Sequence, residues 1–109
     1  MGANTPAEIE SGVRELLPAI LQANAITAEE VISVLLTCTP DLNAAFPAAF
    51  AREIGFESVP LICGVEMAVP GSLPLVLRVM LHVESAKSKA EIKHIYLRGA
   101  SVLRKDLAQ

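Results

Sequence analysis

Two periodicities alternate along this chain, and the places where one gives way to the other mark its elements. Ile9, Val13, Leu16, Leu17, Ile20 and Leu21 recur at three- and four-residue steps, which puts them on one stripe of a helix. Glu8, Arg14 and Glu15 fall elsewhere on its surface. Thr5-Pro6-Ala7-Glu8 sets the start: the threonine can cap, proline suits the first helical position, and Glu8 can close a capping box. The pattern predicts a helix that ends near Asn24. Thr27-Ala28-Glu29-Glu30 repeats the capping signature, but a β-branched run follows so soon that only a short turn fits. Residues 31–39 are apolar almost throughout and predict a strand buried on both faces; Pro40-Asp41 breaks it.

Residues 44–54 predict a second helix, with Pro47 complicating its start and Gly55 a natural stop. Residues 59–63 read as a strand. After the Pro70-Gly71 turn, Pro74 keeps the next strand from starting before Leu75, and it then runs to Glu84. Ser88-Lys89-Ala90-Glu91 is a third capping box, heading a brief helical turn, and residues 93–97 read as a short strand. Arg98-Gly99 then turns the chain into a segment carrying Val102, Leu103 and Arg104. Strands alternate with helices and there are neither repeats nor linkers. The expected class is α/β (α+β), a mixed β-sheet packed against two main helices in a single domain over 1–109.

Composition adds an interface to that picture. Apolar residues make up 52% of the 109 and charged residues 19%, more apolar surface than a domain this small can hide alone. The net charge of -3 excludes a general nucleic-acid binder, which needs a basic stripe. The charge is uneven: eight acids face Arg14 and Arg52 up to Glu57, whereas four acids face seven bases from Ser58 onward. Either this is ordinary solvated surface, or the second half helps to hold a small anion. Cys38 and Cys63 form neither a disulfide framework nor a metal spacing. The start Met-Gly-Ala-Asn-Thr-Pro lacks the basic and apolar regions of a signal peptide. The longest apolar runs, 31–36 and 73–83, are too short for a bilayer, and Arg78 interrupts the second. These features point to a reducing cytoplasm and to no membrane partner.

No glycine-rich phosphate loop, metal-ligand spacing or Ser/His/Asp order is present. His82 and His94 fall in predicted strands among apolar neighbours and read as packed or surface histidines. Cys63, taken alone, reads as a small buried hydrophobe, and Met67, Met80, Phe46, Phe50 and Phe56 as packing residues. Arg78 differs, lying mid-strand between Leu77 and Val79 in a run otherwise almost wholly apolar. An unpaired buried guanidinium is costly, so it must reach a partner, a pocket or solvent. Two readings stay open: a structural ion pair, with Glu66 as candidate partner, or a cation held for an anionic ligand. Tyr96 and Arg104 raise the same question.

Thr39-Pro40-Asp41-Leu42, followed by Phe46-Pro47-Ala48 and Ala51-Arg52-Glu53, resembles the TPDL…FPA…RE pattern of the AroH class of chorismate mutases. Val59-Pro60, Cys63 and Glu66-Met67 continue the resemblance, and Arg78-Val79-Met80, His94-Ile95-Tyr96-Leu97, Val102-Leu103-Arg104 and Asp106-Leu107 complete it in order. It implies an enzyme that converts chorismate to prephenate by an intramolecular Claisen rearrangement, without cofactor or metal. It further implies a homotrimer whose sheets form a pseudo-barrel, with active sites between subunits. By this resemblance Arg78 would donate to the ether oxygen and a carboxylate, and Tyr96 to a carboxylate. Glu66 and Cys63 would hold the substrate hydroxyl. Phe46, Ala48, Leu61 and Ile62 would help to form the pocket, while Arg52 and Arg104 approach from a loop and from the C-terminal segment, which also carries Leu103.

The sequence departs from the family's pattern at two points. Members begin with a strand ending in an Arg-Gly-Ala-Thr-like segment, whose arginine binds a substrate carboxylate. Here only Met1-Gly2-Ala3-Asn4 precedes the first cap, without a counterpart arginine. The position after Phe-Pro-Ala that can carry a lysine is Ala49. Losing one preorganised donor costs about 3 kcal/mol, roughly a hundredfold in rate, so the expectation is a mutase with impaired activity. An unpaired strand edge also admits a dimer or a swapped form in place of the trimer. The competing expectation is a non-catalytic oligomeric module that binds a small carboxylate in the same pocket.

Overall fold

The structure, a computed structural model, describes residues 1–100. The first helix forms as its cap predicts: the Thr5 hydroxyl accepts from the Glu8 N–H (3.1 Å) and Pro6 opens α1, Pro6–Ala23. Ile9, Val13 and Leu17 are fully buried along one face of α1. Pro18 lies on the exposed side, where the helix passes it. Asn24, 4% exposed, closes the helix. Its amide donates to the carbonyls of Ile20 and Lys93 (both 3.0 Å), and its side-chain oxygen accepts from the Lys93 N–H (2.8 Å). The end of α1 is thereby tied to the chain near residue 93. Capping boxes are complete at Thr27/Glu30 and Ser88/Glu91, each heading one 3₁₀ turn.

The sheet has three strands, β1 Val31–Cys38, β2 Leu61–Val65 and β3 Leu77–Val83, in the order β2-β1-β3. β1 is parallel to β2 and antiparallel to β3, so the sheet is mixed as expected. Its register sorts side chains into two faces. Val34, Leu36 and Cys38 of β1, with Leu61 and Cys63 of β2 and Leu77, Val79 and Leu81 of β3, turn toward the helices. There they meet Val13 and Leu17 of α1, Ala48 and Ala51 of α2 (Pro47–Ala51), and Phe56. The opposite face carries no helix among the described residues.

Several expected boundaries shift, each for a local reason. β1 is buried on one face only: Leu35 is 38% exposed on the other, and Ile32, at the register shift between Val31 and Ser33, is 53% exposed. β2 begins at Leu61 rather than at residue 59, because Pro60 has no N–H and enters the ladder through its carbonyl alone, accepting from the Val34 N–H (3.0 Å). β3 begins at Leu77 rather than Leu75. Leu75 has φ +53° and gives its N–H to the Asp41 carboxylate (3.1 Å), while the Val76 N–H goes to the Thr39 hydroxyl (2.9 Å). The second helix is α2 alone, followed by a wide turn at Arg52–Phe56 in which Gly55 takes φ +106°. Residues 93–97 form no strand; His94 makes only an isolated bridge. Phe46, Met67 and Met80, expected as packing residues, are 77%, 83% and 59% exposed. Val102, Leu103 and Arg104 lie outside the described residues.

Candidate active site

The helix-free face of the sheet reads as two rows of side chains. Register places Ile62, Leu35 and Met80 side by side across β2, β1 and β3, and Gly64, Thr37 and Arg78 in the next row. The first row is apolar and open, with Ile62 67% and Met80 59% exposed. The second carries the polar groups.

Glu66 follows β2 directly and continues its ladder, the Glu66 N–H donating to the Cys38 carbonyl (2.8 Å). As the next even-numbered position after Ile62 and Gly64, its side chain lies on the helix-free face. There the Thr37 hydroxyl donates to Glu66 Oε2. Arg78 Nε donates to the same oxygen (3.0 Å), and an Arg78 terminal nitrogen reaches Oε1 at 3.4 Å. The ion-pair reading of Arg78 is therefore met, but not by burial: the arginine side chain is half exposed, against 21% for Glu66. The Thr37 hydroxyl, first, and then Arg78 hold the Glu66 carboxyl below the usual carboxylate range, against a desolvation that pushes it up. Thr37 is the member that sequence reading missed; its only signal is a hydroxyl at an outward-facing position of an otherwise apolar strand.

A cavity of about 980 Å³ wraps the edge of β3 that faces away from β1. Thr37, Glu66 and Arg78 line it from the sheet, and Tyr96 and His94 from the segment that Asn24 anchors. Arg78, Glu66 and Tyr96 are thus brought to one space. At its inner end the cavity meets Gly12, Leu16 and Ile20 of α1.

The other predicted positions sit elsewhere. The Cys63 side chain is on the helix side of the sheet, opposite Thr37 and Arg78, and so is that of Leu61. Ala48 is 5% exposed and packs in the core cluster between the helices and the sheet. Phe46 and Arg52 are exposed at the two ends of α2, which packs by β2. Leu103 and Arg104 fall outside the described residues. The backbone of β2 tells a second story. Its ladder is bracketed by Pro60 O to Val34 N and Glu66 N to Cys38 O, so the even-numbered positions bond to β1. In a parallel strand the alternate residues point the other way, which turns the N–H and C=O groups of Leu61, Cys63 and Val65 outward at the sheet edge.

Cys38 is different again. Burial first, and then the neighbouring Cys63 and Glu66, push its thiol up to about 11, which keeps it protonated and unreactive at neutral pH.

Comparison with known proteins matches residues 1–107 to the family described as chorismate mutase type I. The chain is 46% identical over 105 residues to chorismate mutase AroH of Thermus thermophilus, covering 95% of this chain and 86% of that protein. It is 41% identical over 106 residues to chorismate mutase AroH of Bacillus subtilis (strain 168), covering 96% and 84%. Among solved structures, a chorismate mutase from Clostridium thermocellum superimposes with a TM-score of 0.90 at 44% identity, over 93% of this chain and 90% of that one.

Proposed function

The chain belongs to the chorismate mutase type I family, and we propose that it rearranges chorismate at the cluster of Arg78, Glu66 and Tyr96. It is an isomerase of aromatic amino-acid biosynthesis that converts chorismate to prephenate. The relatives' identity over nearly the whole chain does not favour the competing reading of a non-catalytic carboxylate-binding module.

The rearrangement breaks one C–O bond and forms one C–C bond within a single molecule. No group is transferred and no proton is required. The protein has to hold a compact conformer of a dianion and stabilise negative charge as it grows on the ether oxygen, which are tasks of orientation and fixed electrostatics. Arg78 suits both. A guanidinium has five N–H donors, and Glu66 engages two of the nitrogens, leaving donors for the ether oxygen and a substrate carboxylate. Tyr96 supplies a hydroxyl donor for a carboxylate from the far wall. Glu66, anionic at neutral pH, accepts from the substrate hydroxyl. Cys63 serves the same hydroxyl through its outward-facing backbone groups rather than its thiol.

Arg78 and the outward edge of β2 lie two strand spacings apart, about 10 Å, on opposite flanks of one sheet. Phe46 and Arg52 belong to the β2 flank, and Tyr96 and Arg78 to the β3 flank. This separation supports a site completed between copies, the β2 edge of one facing the β3 edge of the next. The open row of Ile62, Leu35 and Met80 gives such copies an apolar surface to bury. The assembly we propose is a cytoplasmic homotrimer whose helix-free sheet faces close a central pseudo-barrel. Arg104 and Leu103 then approach the substrate from the C-terminal segment. In this reading residues 1–109 form one domain, and the free edge of β3 is the place for a further, arginine-bearing strand.

The arrangement that carries the proposal is the half-exposed Arg78 paired to Glu66 inside a cavity that Tyr96 also lines. Its test is the loss of chorismate absorbance with the protein beside its Arg78→Ala variant. The variant is expected to lose about a hundredfold to a thousandfold in kcat/KM. Equal rates would move the chemistry away from Arg78 and sink the site.

A further inference from the structure

We propose that Thr37 is a positioning residue: its hydroxyl fixes one oxygen of the Glu66 carboxylate so that the other stays available to the substrate hydroxyl. The inference rests on the assignment of Glu66 above and deepens it. Glu66 Oε2 takes two donors, the Thr37 hydroxyl and Arg78 Nε at 3.0 Å. Oε1 takes only a long contact from the Arg78 terminal nitrogen at 3.4 Å. The two oxygens are therefore unequal before any ligand arrives, and Oε1 is the one with acceptor capacity to spare.

Without Thr37 the arginine would face a carboxylate free to rotate. A guanidinium and a carboxylate then favour the symmetric two-bond arrangement, which occupies both oxygens and draws the arginine's donors away from the substrate. The threonine competes for one oxygen and holds the pair askew. Its position is well determined. Thr37 is in the central strand, paired with Gly64 on one side and Arg78 on the other. A β-branched side chain in a strand keeps few rotamers, so the hydroxyl is aimed before binding. Gly64 adds no side chain beside it, and a Cβ there would lie 3.8 Å from Thr37 Cγ2. The lowered Glu66 titration, with the Thr37 hydroxyl as its largest cause, agrees with this geometry.

The experiment compares the full-length protein with Thr37→Val, which keeps the shape and removes the hydroxyl, and Thr37→Ser, which restores it. Two readouts are taken: the pH dependence of kcat/KM for chorismate, and the titration of the Glu66 carboxyl by carbon-13 NMR. Thr37→Val is expected to lose about tenfold in kcat/KM, the scale of one hydrogen bond to a charged group. Its Glu66 should titrate at higher pH, and the acid limb of the profile should move up with it. Thr37→Ser should recover both. A Thr37→Val protein whose Glu66 titrates as in the parent overturns the proposal, and so does a serine variant as slow as the valine variant. If instead the parent and Arg78→Ala turn over chorismate equally, the site assignment fails, while the titration still judges the link between Thr37 and Glu66.

Discussion

Glu66 and Arg78 are twelve residues apart in the chain, and in the folded sheet the carboxylate of the first accepts from the guanidinium of the second. Because Glu66 is held below the ordinary carboxylate range, its pairing stabilises the fold fully above that range. The contribution is lost as pH falls through the lowered folded value. Activity that needs the anion should follow the same limb and persist further into acid than a free carboxylate would allow. The cysteines separate shape from chemistry at this scale. With its thiol among core side chains, Cys63 offers the proposed site its backbone alone, so Cys63→Ala is expected to keep kcat/KM within about twofold. A loss of a hundredfold would return the thiol to the site. In that variant Cys38 is the sole cysteine. Buried, with that burial the first cause raising its thiol, it should resist a disulfide reagent at neutral pH until the protein unfolds.

Among the elements, β3 is the one on which the proposed site turns. It carries Arg78, it borders the cavity, and its outer side has no strand partner among the described residues. Residues 1–5 do not pair with it as a strand; instead the Met1 nitrogen donates to the Leu75 carbonyl (2.7 Å). The Met1 side chain lies against α1, where a Cβ on Gly12 would fall 2.1 Å from its terminal methyl. An unpaired edge is a template for another strand. Adding an N-terminal strand that bears an arginine along this edge is expected to raise kcat/KM by about a hundredfold, the value of one further preorganised donor. The same extension with alanine in place of arginine separates the charge from the pairing. No gain from either would show that the edge is not part of the site.

For the whole molecule the open question is what covers the helix-free face. Leu35 stands at its centre, paired with Ile62 on one side and Met80 on the other. Being 38% exposed, it accepts a charge without disturbing the core beneath. Leu35→Asp should therefore leave the protomer folded by circular dichroism and yet break the assembly, as seen by light scattering on a sizing column. If the site is shared between copies, turnover should collapse with the trimer. A folded monomer with full activity would confine the site to one chain.

Features that depend on neighbours three or four residues away were legible along the chain. Thr5 and Pro6 set the start of α1, Thr27/Glu30 and Ser88/Glu91 closed their capping boxes, and Gly55 supplied the left-handed turn after α2. The run of short motifs from Thr39 to Leu107 pointed to the family, and Glu66 was legible as the partner of Arg78. What the sequence left open depends on register. A strand that starts two residues later than its composition suggests, as β2 and β3 both do, changes which residues stand opposite one another, and a slip of one would exchange the faces. Only the pairing of β1 with both neighbours decided that Thr37 meets Glu66 and Arg78, and that the Cys63 thiol faces away from them. Residues 93–97 show the same limit: their apolar pattern suits a strand, but Asn24, some seventy residues earlier, takes both backbone groups of Lys93. Local chemistry can be read along the chain, whereas the partners of a strand belong to the folded sheet.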